Sequence, residues 1–255
     1  MKIEVLLSTM DYIGVSQLEK MNLCTDIIIG NQTDYERVEL SEYNGCKVLV
    51  VSTTQKGLSY NRNQTLMRAS GDIALIADDD VIYNKDYAKI VENEFNSIPN
   101  ADIIVFNIRD NAPEMERYVN RKRSKVYFLN YMRYGSVRIA FRTEKIKREG
   151  IFFNTMFGAG QDIKFGEDTI FLHDCLKKGL KVYASEKYIS SLCVNRGSTW
   201  FEGYNESYYR SKAMVFRQIN RRFARLLCLQ DAVRHFRMYK EQNPFLCYAK
   251  MEKYL

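Results

Sequence analysis

The 255-residue sequence holds only three prolines and shows no low-complexity stretch or internal repeat. That excludes a linker-rich or solenoid architecture and leaves an ordinary globular one. Histidine is scarcer still: His173 and His235 lie far apart with no ligand-spaced partner, so a histidine-based zinc site is not expected. The cysteines at 24, 46, 175, 193, 228 and 247 are too scattered for a Cys-x-x-Cys knuckle or redox pair, and reduced, mostly buried thiols are expected. No uninterrupted apolar run approaches the roughly 18 to 20 residues that span a bilayer. The first residues, Met1-Lys-Ile-Glu-Val-Leu-Leu-Ser8, carry an acid and no small-residue cleavage site. A soluble or peripheral protein of the cytosol is therefore expected. No Gly-x-Gly-x-x-Gly follows the first apolar run, Gly158, Gly160 and Gly166 have the wrong spacing for one, and no phosphate loop ending in Gly-Lys-Ser/Thr is present. Acid is also scarce toward the C-terminus. Between Arg210 and Lys240 nine Lys or Arg stand against Asp231 alone, a local balance of +8 in a chain whose net charge is +7. The basicity belongs to that region.

What the sequence does hold is a short apolar run that stops at three consecutive carboxylates, Gly71-Asp-Ile-Ala-Leu-Ile-Ala-Asp-Asp-Asp80. Ile73 to Ala77 has the length and composition of a strand buried on both faces. Three acids at its carboxyl end repel one another, so something positive is expected among them. A divalent cation is the simplest candidate, because Mg²⁺ and Mn²⁺ prefer oxygen ligands and are commonly shared with substrate phosphates. In open α/β sheets ligands bind at this end of the strands. The alternative is a solvated loop, or acids that cap the next helix.

Around this stretch short apolar runs alternate with helical segments, the pattern of βαβ units. Residues 2 to 8 read as a first strand ending at Ser8-Thr9. A helical stretch over 14 to 22, a strand Asp26–Ile29 closed by Gly30-Asn31, and a strand Lys47–Val51 follow. Leu58–Ser70 reads as a helix with Ser59 as N-cap, and another helix runs from an Asn84 cap to Asn96. Ala101–Phe106 and Gly135–Phe141 read as further strands, the last breaking the βαβ rhythm, so a mixed sheet is expected. Arg121, Lys122, Arg123 and Lys125 form a basic cluster, read first as a solvated loop and second as a phosphate contact. Beyond Phe157-Gly-Ala-Gly160, the positions Phe171, Leu172, Cys175 and Leu176 recur at helical spacing, and Lys177, Lys178 and Gly179 supply the stop. Glu167 and Asp168 fall in the first turn of that helix. There they either complement its dipole or are presented to a ligand.

Taken together and in order, these pieces resemble family 2 glycosyltransferases of the GT-A fold, the kind found in bacterial polysaccharide assembly. Ser8-Thr9 resembles the start of the family's donor site, Gly57 through Asn63 its Gly-x-x-x-x-Arg-Asn segment, and Ala69-Ser-Gly-Asp72 through Asp80 its strand ending in the Asp-x-Asp motif. Gly166-Glu-Asp168 resembles the later motif that carries the base. The resemblance covers roughly residues 2 to 195, with one departure. Where the family often places acids after the second strand, here stands Gly30-Asn31, whose amide can hydrogen-bond a uracil edge. The resemblance implies an α/β, Rossmann-type GT-A domain with a central mixed, mostly parallel sheet flanked by helices. It implies an inverting hexosyltransferase that moves a sugar from a nucleotide-sugar, a UDP-sugar, to a hydroxyl of a glycan or lipid-linked acceptor. It further implies Mn²⁺ or Mg²⁺ held by Asp78 and Asp80, stabilising the diphosphate leaving group. Donor contacts fall to Ser8, Thr9, Asn31, Arg62, Asn63, Asp78 and Asp79. Asp168 is the implied general base, with Glu167 beside it; the helix terminus lowers the pKa of Asp168 and Glu167 opposes that.

The chain is expected to divide into a catalytic domain over 1–200 and a helical extension over 201–255. In the extension Ile219, Phe223, Leu226, Leu227 and Val233 follow helical spacing, with Arg221, Arg222 and Arg225 on other faces. The first reading packs that stripe on the catalytic domain. The second docks residues 210–240 on anionic lipid at the inner face of the cell membrane. Two other functions compete. A metal-dependent nucleotidyltransferase would use the same acids to make a nucleotide sugar, but Ser8-Thr-Met-Asp-Tyr-Ile13 lacks the basic, glycine-rich loop expected of one. A nucleic-acid-binding module would use the basic tail, but no zinc finger or RNP-type aromatic motif accompanies it.

Overall fold

Apolar strands with no polar face need cover on both sides, and the chain supplies it with helices. In the structure, a computed structural model that describes residues 1–109, 118–193, 201–241 and 243–255, the body opens with β1 (Ile3–Met10), α1 (Val15–Lys20), β2 (Asp26–Gln32), β3 (Arg37–Tyr43) and β4 (Cys46–Thr53). It continues through α2 (Leu58–Arg68), β5 (Ile73–Asp78), β6 (Val81–Tyr83), α3 (Tyr87–Ser97), β7 (Ile103–Arg109), β8 (Ser124–Val126) and β9 (Ile139–Arg142). α4 (Thr143–Arg148), α5 (Glu167–Lys177) and β10 (Val182–Leu192) complete it. One ten-stranded sheet runs β3-β4-β2-β1-β5-β9-β7-β10-β6, with β8 also paired to β10. The sheet is mixed, as expected. Its parallel pairing is concentrated in the block β4-β2-β1-β5 and in β7-β10, while β3, β6, β8 and β9 pair antiparallel.

The period-2 geometry of strands sorts side chains between two cores. Val5, Leu7, Leu75 and Ala77 join one apolar cluster, with Phe95 of α3. Leu6, Ala74 and Ile76 join the other, with Leu66 of α2 and Phe171 and Leu172 of α5. Each buried Val, Leu, Ile or Phe among them contributes about 1.5–3 kcal/mol, and the site is mounted on the ends of this central block.

Several local expectations are corrected. α2 begins after Gly57 (φ +125°) rather than at a Ser59 cap; Ser59 lies inside the first turn and donates its hydroxyl to the Phe157 carbonyl at 2.7 Å. α3 is preceded by Asp86, and Asn84 instead donates its amide to the Tyr188 carbonyl of β10 at 2.8 Å. Gly135–Phe141 is a strand only from Ile139, because a 3-10 turn occupies Ser136–Arg138. Four strands, β3, β6, β8 and β10, had no clear signal, and the two long ones show why. β3 is an edge strand with Val38 and Leu40 exposed, so it has no buried face to show. β10 carries Ser185, Glu186, Lys187, Ser190 and Ser191, and takes up that polar interruption by shifts in register against β7. Of the six free cysteines only 175, 228 and 247 are buried.

The tail folds as α6 (Glu206–Ile219), α7 (Ala224–His235) and α8 (Pro244–Glu252) around its own apolar cluster, which includes Tyr209, Phe216, Cys228, Tyr239 and Met251. The expected domain boundary at 200 lies outside the described residues. The tail meets the body where Val215 of α6 packs with Phe157, Ile163 and Ile170. Gly166 makes this contact possible: its φ is +103°, and a Cβ there would lie 2.2 Å from Cγ2 of Val215. The stripe expected to pack on the catalytic domain does so only at Ile219, which also meets the cluster of Phe157, Ile163 and Ile170. Leu227 and Ile219 pack against the tail core, but Phe223, Leu226 and Val233 are exposed. No helix among the described residues is long and apolar enough to cross a membrane.

Candidate active site

The register of the parallel block brings the expected residues to one edge. Ser8 pairs with Asp78 and Gly30, Thr9 with Asn31, and Asn31 with Ser52, so the carboxyl ends of β1, β2, β4 and β5 finish together. α2, leaving β4, lies across these ends. Its Asn61, which sequence reasoning passed over, donates to the carbonyls of Gly30 (2.8 Å) and Thr9 (3.2 Å) and so clamps β1 to β2. Gly30 is glycine for this reason, since a Cβ there would fall 2.0 Å from Asn61 Oδ1.

The first acid of the triplet, Asp78, finds its positive charge in the protein itself. The buried Arg62 guanidinium donates through Nη2 to both oxygens of Asp78 (2.8 and 3.0 Å) and to Ser136 Oγ (2.8 Å), and through Nη1 to Glu167 (2.9 Å). It is not turned to the crevice as a donor contact but is the internal tie between the strand end and α5. Asp79 accepts from the Thr9 hydroxyl at 2.8 Å, and Thr9 in turn accepts from Gln17 at 3.0 Å. Asp78, Asp79 and Asp80 are all half-buried. Among the described residues no group of three or more His, Cys, Asp or Glu side chains could hold a metal unaided. What the strand end offers is hard carboxylate oxygen, the donor type that Mg²⁺ and Mn²⁺ share with phosphate.

Two expected donor contacts are turned inward. Asn31 is buried, with its Oδ1 accepting from the Tyr12 N–H (2.9 Å) and its Nδ2 donating to Ser52 (2.9 Å), so its amide fixes the loop after β1. Asn63 is spent on both backbone groups of Phe153, at 2.8 Å each, and pins the segment that leads toward α5. Ser8 is buried, and its hydroxyl finds no hydrogen-bond partner among the described residues.

Glu167 and Asp168 open α5 directly after Gly166, as the spacing predicts. Asp168 Oδ1 accepts from the Thr169 N–H (2.7 Å) and Oδ2 from the Ser136 N–H (3.2 Å), so the 3-10 turn before β9 holds the carboxylate from the far side. Ser136 carried no sequence signal. The two opposing effects read from sequence, helix terminus and Glu167, leave the direction of the Asp168 pKa open; burial raises it, against the opposing pull of Arg62 and the two N–H donors. Glu167 is pushed up to about 7, by burial first and by the charge of Asp168 second, with Arg62 opposing. One guanidinium thus serves three carboxyls, and two of them bind protons more tightly than free carboxylates do.

A family model described as glycosyl transferase family 2 matches residues 26–161, more than half of the chain. Among solved structures the chain is similar to S. aureus TarS residues 1–349 in complex with UDP-GlcNAc, with a TM-score of 0.66, 17% identity, and coverage of 93% of this chain and 73% of that one. For the same region in complex with UDP the TM-score is 0.64 at 18% identity, covering 93% and 72%. Against a longer S. aureus TarS structure the TM-score is 0.64 at 17% identity, and the match covers 92% of this chain but 44% of that one. At this identity the likeness is one of fold. A comparison with curated proteins found no match.

Proposed function

Since the chain belongs to glycosyl transferase family 2, we propose that its acidic crevice takes a nucleotide-sugar donor, a UDP-sugar, and transfers the sugar with inversion to a hydroxyl of a glycan or lipid-linked acceptor. The observation that carries this reading is the Arg62 tie, which sets the acidic end of β5 and the carboxylates of α5 on opposite sides of one guanidinium. A transferase needs that arrangement: charge control at the leaving group and a base at the acceptor. The TarS structures were determined with UDP-GlcNAc and UDP, which supports a uridine nucleotide. Because Asn31 is occupied internally, we assign base recognition to backbone groups at the ends of β1 and β2 rather than to that side chain.

Asp168 accepts the proton of the acceptor hydroxyl as the oxygen attacks the anomeric carbon from the face opposite the diphosphate. Burial makes it a stronger base than an exposed aspartate, and its two N–H partners fix the carboxylate plane. Glu167 works through Arg62 and does not itself take the proton. Asp80 is the residue we assign to an Mn²⁺ or Mg²⁺ ion, with Asp78 adjacent and already balanced by Arg62. Such an ion would act as a Lewis acid on the diphosphate. Thr9 orients Asp79 toward the nucleotide. A lipid-linked acceptor would be met on the side of residues 210–240, at the cytoplasmic membrane face.

The test is thermal stabilisation and turnover with UDP- and GDP-sugars, with and without Mn²⁺. UDP-sugars should raise the melting temperature only when metal is present, a ligand at 100 times its Kd adding about 2.7 kcal/mol. Asp80→Ala should lose both the shift and the turnover, and NMR of the product should show an inverted anomeric centre. Equal stabilisation in chelator, or product with the donor's configuration, would count against the assignment.

A further inference from the structure

α7 has two apolar faces, and only one of them is used by the fold. Ala224, Cys228 and Ala232 turn into the tail core. On the other side Leu226, Leu229 and Val233 stand 59%, 37% and 56% exposed. At 3.6 residues per turn these three fall within roughly 60° of one another, opposite the buried side. Arg222 lies in the turn just before the N-cap Phe223, Arg225 borders one edge of the row and Arg234 the other, and all three are exposed. Arg225 meets Glu252 at 3.7 Å, an exposed pair of little strength. The one acid of the region, Asp231, faces inward and is neutralised by Lys212 at 3.1 Å, so no carboxylate on residues 210–240 faces out with the arginines.

From this placement we infer that the outer face of α7 docks on an anionic lipid surface, with its aliphatic row entering the acyl boundary and its arginines on the headgroups. The charge pattern selects this occupant. A nucleic acid would satisfy the arginines but leave three aliphatic side chains against water. A second copy related by a two-fold axis would set the same arginines against one another. An apolar centre between cationic rims is the pattern that lies in a membrane interface. The docking is independent of the reaction chemistry, and its test reads no sugar transfer.

The experiment is flotation of the full chain with vesicles of phosphatidylcholine alone or with about one third phosphatidylglycerol, at low and high salt. Wild type should float with the anionic vesicles only and be released as salt rises. Leu226→Ser with Val233→Ser should lower partitioning about tenfold or more, and Arg222→Gln and Arg234→Gln about fivefold each. All these side chains are exposed, so circular dichroism melting should match wild type. Equal recovery from neutral and anionic vesicles would overturn the proposal. So would a serine double variant that floats like wild type, or one that instead turns a dimer into a monomer on gel filtration. RNA retention that follows the arginines and ignores the serine changes, without flotation, would also overturn it.

Discussion

Arg62 in the body and Lys212 in the tail are both cations held against buried carboxylates, yet they leave their partners in opposite states. Arg62 is shared by Asp78 and Glu167, with Asp168 close enough to feel its charge. Acid is in excess there, and Glu167 and Asp168 are raised. In the tail Asp231 alone receives Lys212 (3.1 Å), the Tyr239 hydroxyl (2.6 Å) and His235 Nδ1 (3.2 Å). Burial would raise Asp231, but Lys212 and the hydrogen bonds from His235 and Tyr239 outweigh it, and its pKa is lowered. Stoichiometry makes the difference: too few donors leave a carboxyl basic enough to take a proton, and a full set makes a staple.

The sharpest way to break this comparison is Arg62→Met. It leaves Asp78 and Glu167 without their buried counter-charge and should cost about 3–5 kcal/mol, read as the shift in urea midpoint, with transfer lost as well. A variant that unfolds like wild type would show that the tie is dispensable. Next in size, Asp168→Asn keeps the shape and removes the basicity, so acceptor-dependent rate should fall roughly 10²- to 10⁴-fold while donor binding survives. Wild-type rate should decline on the acid side at a pH above the ordinary aspartate range, because a raised pKa protonates the base sooner as pH falls. Glu167 and Asp168 titrate as a pair, so that limb belongs to both. A rate that stays flat down to the ordinary aspartate value of 3.8 would remove Asp168 as the titrating base.

The smallest effect belongs to the tail. Asp231→Asn should leave the transfer rate unchanged and cost about 1.5–3 kcal/mol, the worth of hydrogen bonds to a charged group. Its pH dependence should run opposite to that of the site. Asp231 has a lowered pKa, so its contribution is present above the unfolded value of 3.8 and is lost as pH falls through its folded value. Glu167 is raised, so its contribution is full below 4.5 and is lost as pH climbs to about 7. Melting curves of wild type and Asp231→Asn should therefore converge in acid. A gap that persists there would mean the staple is held by packing rather than charge.

Much of the body was legible because its strands advertise themselves. Ile73 to Ala77 has no polar residue to hide it, and the acids that follow mark the edge where register later gathers Ser8 and Asn31. The helix bearing Glu167 and Asp168 was equally plain, from Gly166 before it and Gly179 after it. β10 escaped because its serines and charges are absorbed by shifts in register, which leave no trace in a period of two. The inward turn of Arg62, Asn31 and Asn63 also escaped. The same side chain at the same position can face a ligand or a backbone carbonyl, and only the packing of α2 across the strand ends decides. The direction of the Asp168 pKa stayed open for a related reason: a helix terminus and a neighbouring acid can be read from sequence, but the desolvation that decides between them cannot.

Gly166 and Val215 fit as socket and plug, with a missing Cβ in the body receiving a branched methyl from the tail. Grafting a foreign tail onto this body, or this tail onto another, is therefore constrained at one point before any surface is considered. The donor helix must present nothing bulkier than valine at that position, and the recipient must offer glycine. The two parts are transplantable only as a matched pair, and a shuffled library of related chains should sort by that pair first.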